Sequence, residues 1–246
     1  MSQKLRMVTT SWDDGDRADV QVASLLRAAA LPGTFYVPLT GYRGWPTLDA
    51  AQLRELASEG FEIGAHGVTQ RTLRGLDAAA IEHEVRASKQ TLEETIGREV
   101  GMFCYPRGRY DRQVLAQVRA AGYRGARTTR MLATSLDFNR FEMPASLQVF
   151  PHRHWTYLRN TAKARKPSRL CGYLPHLRAG GDWVALGKRL FDRVLEKGGI
   201  WHLFGHSWEI EQRGLWAGLE ELAQYVSRRP GVVYETNGGL LIACGK

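Results

Sequence analysis

The sequence predicts an α/β fold with a parallel sheet, open or closed into a barrel. Three observations carry this. Short apolar runs of strand length alternate with amphipathic helix patterns over most of the chain, the signature of repeated strand–helix units. Polar and ionisable residues fall at the carboxyl ends of those runs, where parallel α/β sheets gather their sites. The 246 residues, 43% hydrophobic, are enough for one core, so a single domain over residues 1–246 is expected.

Taken in order, a strand at about Met7–Trp12 precedes a helix near Ala18–Ala30, with Val22, Leu25, Leu26 and Ala29 on one face. Gly33 leads into a strand at Thr34–Val37. Thr47 or Asp49 starts a helix through Leu53 and Leu56 that Gly60 ends, and Phe61–Ala65 reads as the next strand. Ile81, Val85, Ser88, Leu92 and Ile96 recur at helical spacing before an apolar strand at Met102–Tyr105. Asp111 caps a helix closed by Gly122, followed by the strand-like Tyr123–Thr128. From about Met131 to Gly181 the pattern is poor and is broken by Pro144, Pro151, Pro167 and Pro175, so strand plus long loops is expected. Asp182 then caps a helix through Leu186, Leu190 and Leu195. Ile200–Phe204 is a strand, Leu215–Ser227 a helix and Val232–Glu235 a last strand.

Several function classes are excluded or disfavoured by composition. No apolar run approaches the ~20 residues that cross a bilayer. Asp13 and Asp14 leave no room upstream for a secretion signal, so a cytoplasmic location is expected. Cys104, Cys171 and Cys244 are odd in number and widely spaced, which points to neither a disulfide framework nor a zinc knuckle. The net charge of +9 suits an anionic partner, but no Lys/Arg block interleaved with aromatics suggests nucleic acid.

The chemistry sits at the strand ends: Asp13-Asp14, His66, the Tyr105-Pro106-Arg107-Gly108 turn, Arg127 and His206. Two adjacent carboxylates resist joint ionisation unless a cation neutralises one, so one can bind metal while the other acts as base. His66 follows an apolar strand where imidazole can face a cleft. His206 stands in a Gly205-His206-Ser207 turn suited to proton donation, whereas His202 alternates into its strand and reads as a packed residue. His152 and His154 read as loop residues. Trp12, Trp45, Trp155 and Trp208 can stack on a sugar ring or simply pack.

These segments resemble the motifs of the polysaccharide deacetylase (NodB-homology) family over nearly the whole chain. Thr10-Ser11-Trp12-Asp13-Asp14-Gly15 resembles its first motif. Ala65-His66-Gly67-Val68-Thr69-Gln70-Arg71-Thr72-Leu73 is similar to the second, with Gln70 where the family carries a second histidine. Phe103-Cys104-Tyr105-Pro106-Arg107-Gly108 resembles the third, with Cys104 in place of an arginine that some members carry, and Gly199–Glu209 resembles the fifth. The resemblance implies a distorted (β/α) barrel of about seven parallel strands. It implies Asp13 as base, Arg127 as its partner and His206 as acid. Asp14, His66 and Gln70 become ligands of a divalent metal, zinc first, with cobalt, nickel or manganese as alternatives. Tyr105, Pro106, Arg107 and Trp208 would bind substrate, with the Arg107 backbone N–H facing an oxyanion.

The activity so implied is metal-dependent removal of an N-acetyl group from an amino sugar or glycan precursor, anionic if the basic charge matters. Two alternatives stand beside it: a catalytically degenerate carbohydrate-binding homologue, which Gln70 suggests, and a hydrolase of non-sugar amides such as cyclic imides or ureides.

Overall fold

In the computed structural model of the protein, residues 4–41, 46–163 and 182–246 are described. Trp45, Cys171, Pro167 and Pro175 lie outside the described residues. In chain order the elements are β1 (Arg6–Asp13), α1 (Asp19–Ala28), β2 (Thr34–Val37), α2 (Ala50–Ser58), β3 (Glu62–Ala65), α3 (Ala78–Ile96), β4 (Met102–Cys104), α4 (Arg112–Ala120) and β5 (Gly125–Arg127). There follow β6 (Leu147–Gln148), α5 (His154–Lys163), α6 (Trp183–Lys197), β7 (Gly199–His206), α7 (Ser207–Arg213), α8 (Trp216–Val226), β8 (Val233–Tyr234) and α9 (Asn237–Ala243). Aspartates set the helix starts: Asp49, Asp77, Asp111 and Asp182 each accept backbone N–H groups of the first turn, and Gln52 completes a capping box with Asp49.

Among the described residues all strand pairings are parallel, in the order β5-β4-β3-β2-β1-β7-β6, with β8 paired to the start of β1. The chain after β5 runs across the open side of the curled sheet. Met143 bridges to Arg127, and Leu147–Gln148 pairs with β7, so one short segment touches both ends of the strand order. This is the parallel α/β sheet that the sequence predicts, curled into the distorted half-barrel that the resemblance implies, with helices covering the outer face.

β1 and β7 are buried along nearly their whole length, the polar Thr9, Thr10, Ser11 and His202 included. One cluster, including Trp12, Phe35, Phe103, Trp201 and Phe204, fills the space between sheet and helices. A second, smaller one lies inside the curl: Met7, Tyr36, Met102, Cys104, Met143 and Ile200, joined by Leu240 and Leu241 of α9. Gly64 is required there, since a Cβ would sit 2.5 Å from the Tyr36 ring. Trp12 is fully buried and hydrogen-bonds Thr10, so of its two readings packing is the observed one.

The inner face also carries a polar network directly beneath Asp13. His202 Nδ1 lies 2.9 Å from the Pro144 carbonyl and Nε2 2.9 Å from Ser11 Oγ, while Asn237 bonds Thr9 and Tyr36. Burial, with the nearby Arg127 charge, drives the His202 pKa down to about 3. The unfolded chain protonates this imidazole near 6.5 and the folded protein only near 3, so the unfolded state holds the extra proton between those values. Stability is therefore expected to fall by up to about 1.4 kcal/mol per pH unit as pH drops below 6.5. Urea unfolding at pH 7, 6 and 5 measures this slope; a His202→Asn variant that kept all of it would exclude His202 as its source.

Three features depart from the sequence expectation. The stretch after Met131 contains helix α5 as well as strand and loop, and His154 begins that helix. His206 is followed at once by α7, only seven residues long and so without a readable period. α9 opens on Asn237-Gly238-Gly239, which reads as a turn, although Thr236 caps it by accepting from Gly239 N–H.

Candidate active site

Register places the site. Asp13 ends β1 directly beside His206 at the end of β7, as Cα partners on neighbouring strands. Asp14 follows with φ +81°, and Gln70 and Arg107, which face the same cavity, have φ +56° each. Among the described residues only six that are not glycine adopt positive φ. Concentration of such conformations around one cavity is typical of functional sites held by the surrounding structure.

The positive φ at Asp14 separates the two adjacent carboxylates. Asp13 is 2% exposed, and its Oδ1 accepts from the fully buried Arg127. Its Oδ2 lies 3.8 Å from His206 Nε2 and 3.9 Å from Cys104 Sγ. Burial pushes the Asp13 carboxyl toward the neutral acid, but Arg127, with His66 and His206, outweighs it and holds the pKa below the usual carboxylate range. Arg127 itself lies between the Phe204 and Tyr36 rings, at 4.7 and 5.3 Å, and its Nε and Nη1 have no hydrogen-bond partner among the described residues.

Asp14 faces the other direction. Trp208 Nε1 donates to its Oδ2 at 2.8 Å, Gln70 Nε2 donates to its Oδ1, and His66 Nε2 stands 3.6 Å from that same Oδ1. His66 Nδ1 is 2.9 Å from the Cys104 carbonyl, which can only accept, so Nδ1 carries the ring proton. Burial lowers the His66 pKa despite the neighbouring carboxylates. The neutral ring therefore presents the Nε2 lone pair to a carboxylate oxygen. Gln70 reaches the site on a loop clamped by Glu84, which accepts from the N–H groups of Val68 and Thr69 and from the Thr69 hydroxyl.

His206 is oriented from behind. Its Nδ1 lies 3.3 Å from Glu209 Oε2, and Gln148 Nε2 donates to that oxygen at 3.1 Å while its Oε1 meets His152 Nε2 at 2.8 Å. Burial opposes the charged imidazole, yet the Glu209 bond and the charges of Asp14 and Asp13 push the His206 pKa up to about 9.

The structure thus gathers Asp13, Asp14, His66, Gln70, Arg107, His206 and Trp208 around one cavity of about 260 Å³, with Thr129 as a further wall. Arg127 lies under it in contact with Asp13. Tyr105 does not line it: that ring is buried, stacks on Tyr110 at 4.3 Å and donates to the Phe141 carbonyl, and Pro106 is buried beside it. The turn contributes Arg107 to the cavity and keeps Tyr105 as a support. Sequence reasoning missed Glu209, Gln148 and Thr129. The His206/Glu209 spacing of three is the signal that would have found Glu209, once a helix is known to begin at Ser207.

The residues fit a divalent cation. The imidazole lone pair of His66 faces a charged Asp14 oxygen, and the buried Gln70 Oε1 has no hydrogen-bond partner among the described residues. Among the described residues one other group, Asp13, His66 and Cys104, has donor atoms within 4.8 Å of one another. It suits a cation less well, because Arg127 already neutralises Asp13 and burial pushes the Cys104 thiol pKa well up.

Solved structures of carbohydrate esterases and deacetylases share this curled parallel sheet. A structure from Mycobacterium smegmatis described as a polysaccharide deacetylase superposes with a TM-score of 0.66 at 16% identity, covering 99% of this chain and 91% of that one. The Xyl-CE4 domain of a xylanase from the hindgut metagenome of Trinervitermes trinervoides gives 0.61 at 12% identity, covering 98% and 92%. A family 4 carbohydrate esterase from Streptomyces lividans in complex with acetate gives 0.60 at 14%, covering 94% and 92%. At the level of sequence, the polysaccharide deacetylase family profile matches residues 2–126, just over half of the chain. The chain belongs to the polysaccharide deacetylase family. YxkH of Bacillus subtilis (strain 168), which carries a polysaccharide-deacetylase name, is 26% identical over 137 residues, 55% of this chain and 48% of that protein. The match thus spans about half the length of that relative.

Proposed function

We propose that the protein hydrolyses the N-acetyl group of an amino sugar, in a glycan or its precursor, to acetate and the free amine. The observation that carries this reading is the two-sided contact of Asp13: Arg127 on one carboxylate oxygen and His206 on the other, at the wall of a cavity that also holds Asp14, His66 and Gln70. A divalent metal held by Asp14, His66 and Gln70 would supply a Lewis acid for the acetyl carbonyl and lower the pKa of the attacking water.

Asp13, kept ionised by Arg127, is placed to take the proton of that water as it adds to the acetyl carbon. His206, kept protonated by Glu209 and the two aspartates, is placed to give its proton to the departing nitrogen as the C–N bond breaks. The Arg107 turn at the cavity wall is the candidate donor for the oxyanion through its backbone N–H. Trp208 offers its indole as a wall for a sugar ring. Arg107 and the net charge of +9 favour an anionic substrate. The free thiols of Cys104 and Cys244 fit a reducing compartment such as the cytoplasm, and among the described residues no helix is long and apolar enough to cross a membrane.

Acetate release from N-acetylglucosamine oligomers tests the reading. It is expected in the wild type, lost on chelation, restored by added divalent metal and lost in Asp14→Ala. Turnover of cyclic imides or ureides alone would overturn the sugar assignment, and carbohydrate binding without any turnover would favour the degenerate homologue.

A further inference from the structure

The Gln70 side chain ends beside Asp14 at the wall of the cavity. Its nitrogen donates to Asp14 Oδ1, and its oxygen is buried with no partner among the described residues. The opposite orientation would put an amide oxygen against a carboxylate oxygen and the His66 lone pair, a repulsive set unless a positive charge lies among them. Rotation about the terminal sp³–sp² bond between the two orientations is soft and roughly two-fold. The backbone that carries the amide is held still by Glu84.

We propose that Gln70 is a flipping ligand: its carboxamide turns over when a divalent cation enters between Asp14 and His66, and the amide oxygen it then presents weakens the site's preference for zinc over manganese. This rests on the metal-dependent reading above. An amide oxygen is a hard, neutral donor that suits manganese as well as zinc, whereas an imidazole in its place would favour zinc. Gln70 thereby sets which metal the site retains, without itself touching substrate.

The test uses the full chain stripped with a chelator. Calorimetric titration with zinc chloride and with manganese chloride is run on the wild type, Gln70→His and Asp14→Ala. Histidine is among the residues that accept the positive φ at position 70. Gln70→His is expected to tighten zinc by about tenfold and to change manganese by less than about threefold. In the wild type, which needs no variant, the side-chain NH2 resonances of ¹⁵N-labelled Gln70 are expected to shift on adding zinc.

A zinc-to-manganese ratio unchanged by Gln70→His, or an NH2 pair unmoved at saturating zinc, would overturn the flip while leaving the hydrolase reading intact if Asp14→Ala still abolishes binding. Absence of binding of either metal by the wild type, or full binding by Asp14→Ala, would overturn both.

Discussion

Asp13→Asn is expected to lower acetate release by roughly 10²–10⁴-fold, the usual contribution of a positioned general base. The change keeps the side chain's volume and its place beside His206, but an amide cannot accept the proton of an attacking water. Steady-state kinetics on an N-acetylglucosamine oligomer would show the loss in kcat with little change in KM. A urea midpoint measured alongside separates chemistry from folding, since Asn leaves Arg127 facing a neutral partner. Retention of more than a tenth of wild-type kcat would remove Asp13 from the role of base.

Arg127→Met carries the largest expected effect on stability, a loss of about 3–5 kcal/mol in urea unfolding. The guanidinium is fully buried and is the partner of a carboxylate that is itself 2% exposed. Removing it strands a charge that can only be relieved by protonation. The Asp13 pKa therefore rises, and the acidic limb of the pH–rate profile moves to higher pH. Combining Arg127→Met with Asp13→Asn should recover a good part of the lost stability, because neither member of the pair then remains alone. A double variant no more stable than Arg127→Met would show that the guanidinium acts mainly by packing between Phe204 and Tyr36.

Much of this arrangement was legible in the residues because its signals are local. The strand–helix alternation through Tyr123, the caps at Asp49, Asp111 and Asp182, and the polar residues at strand ends follow from periodicity and capping chemistry. Asp13, Asp14, His66 and His206 could be read as one site since parallel strands bring their carboxyl ends to one side. What escaped depends on packing across the chain. Helix α7 is too short for periodicity, so Glu209 had no visible relation to His206. Gln148 reaches that pair only because the chain after Met143 crosses from β5 to β7. The resemblance implies a substrate role for Tyr105, but its ring finds Tyr110 and the Phe141 carbonyl instead.

The strand order has a consequence for synthesis. β1 lies in the middle of the sheet, yet one of its neighbours, β7, comes ~190 residues later. A ribosome adding about 5–20 residues per second leaves roughly 10–40 s in which β1 has that flank unpaired. A long unpaired strand edge exposed for that time is a site for wrong pairing, and chaperones that shield such edges would act in this interval. Because Asp13 and His206 are brought together by the same pairing, activity in a nascent chain would appear only with the last quarter of the sequence. Its onset would then report the closing of the sheet.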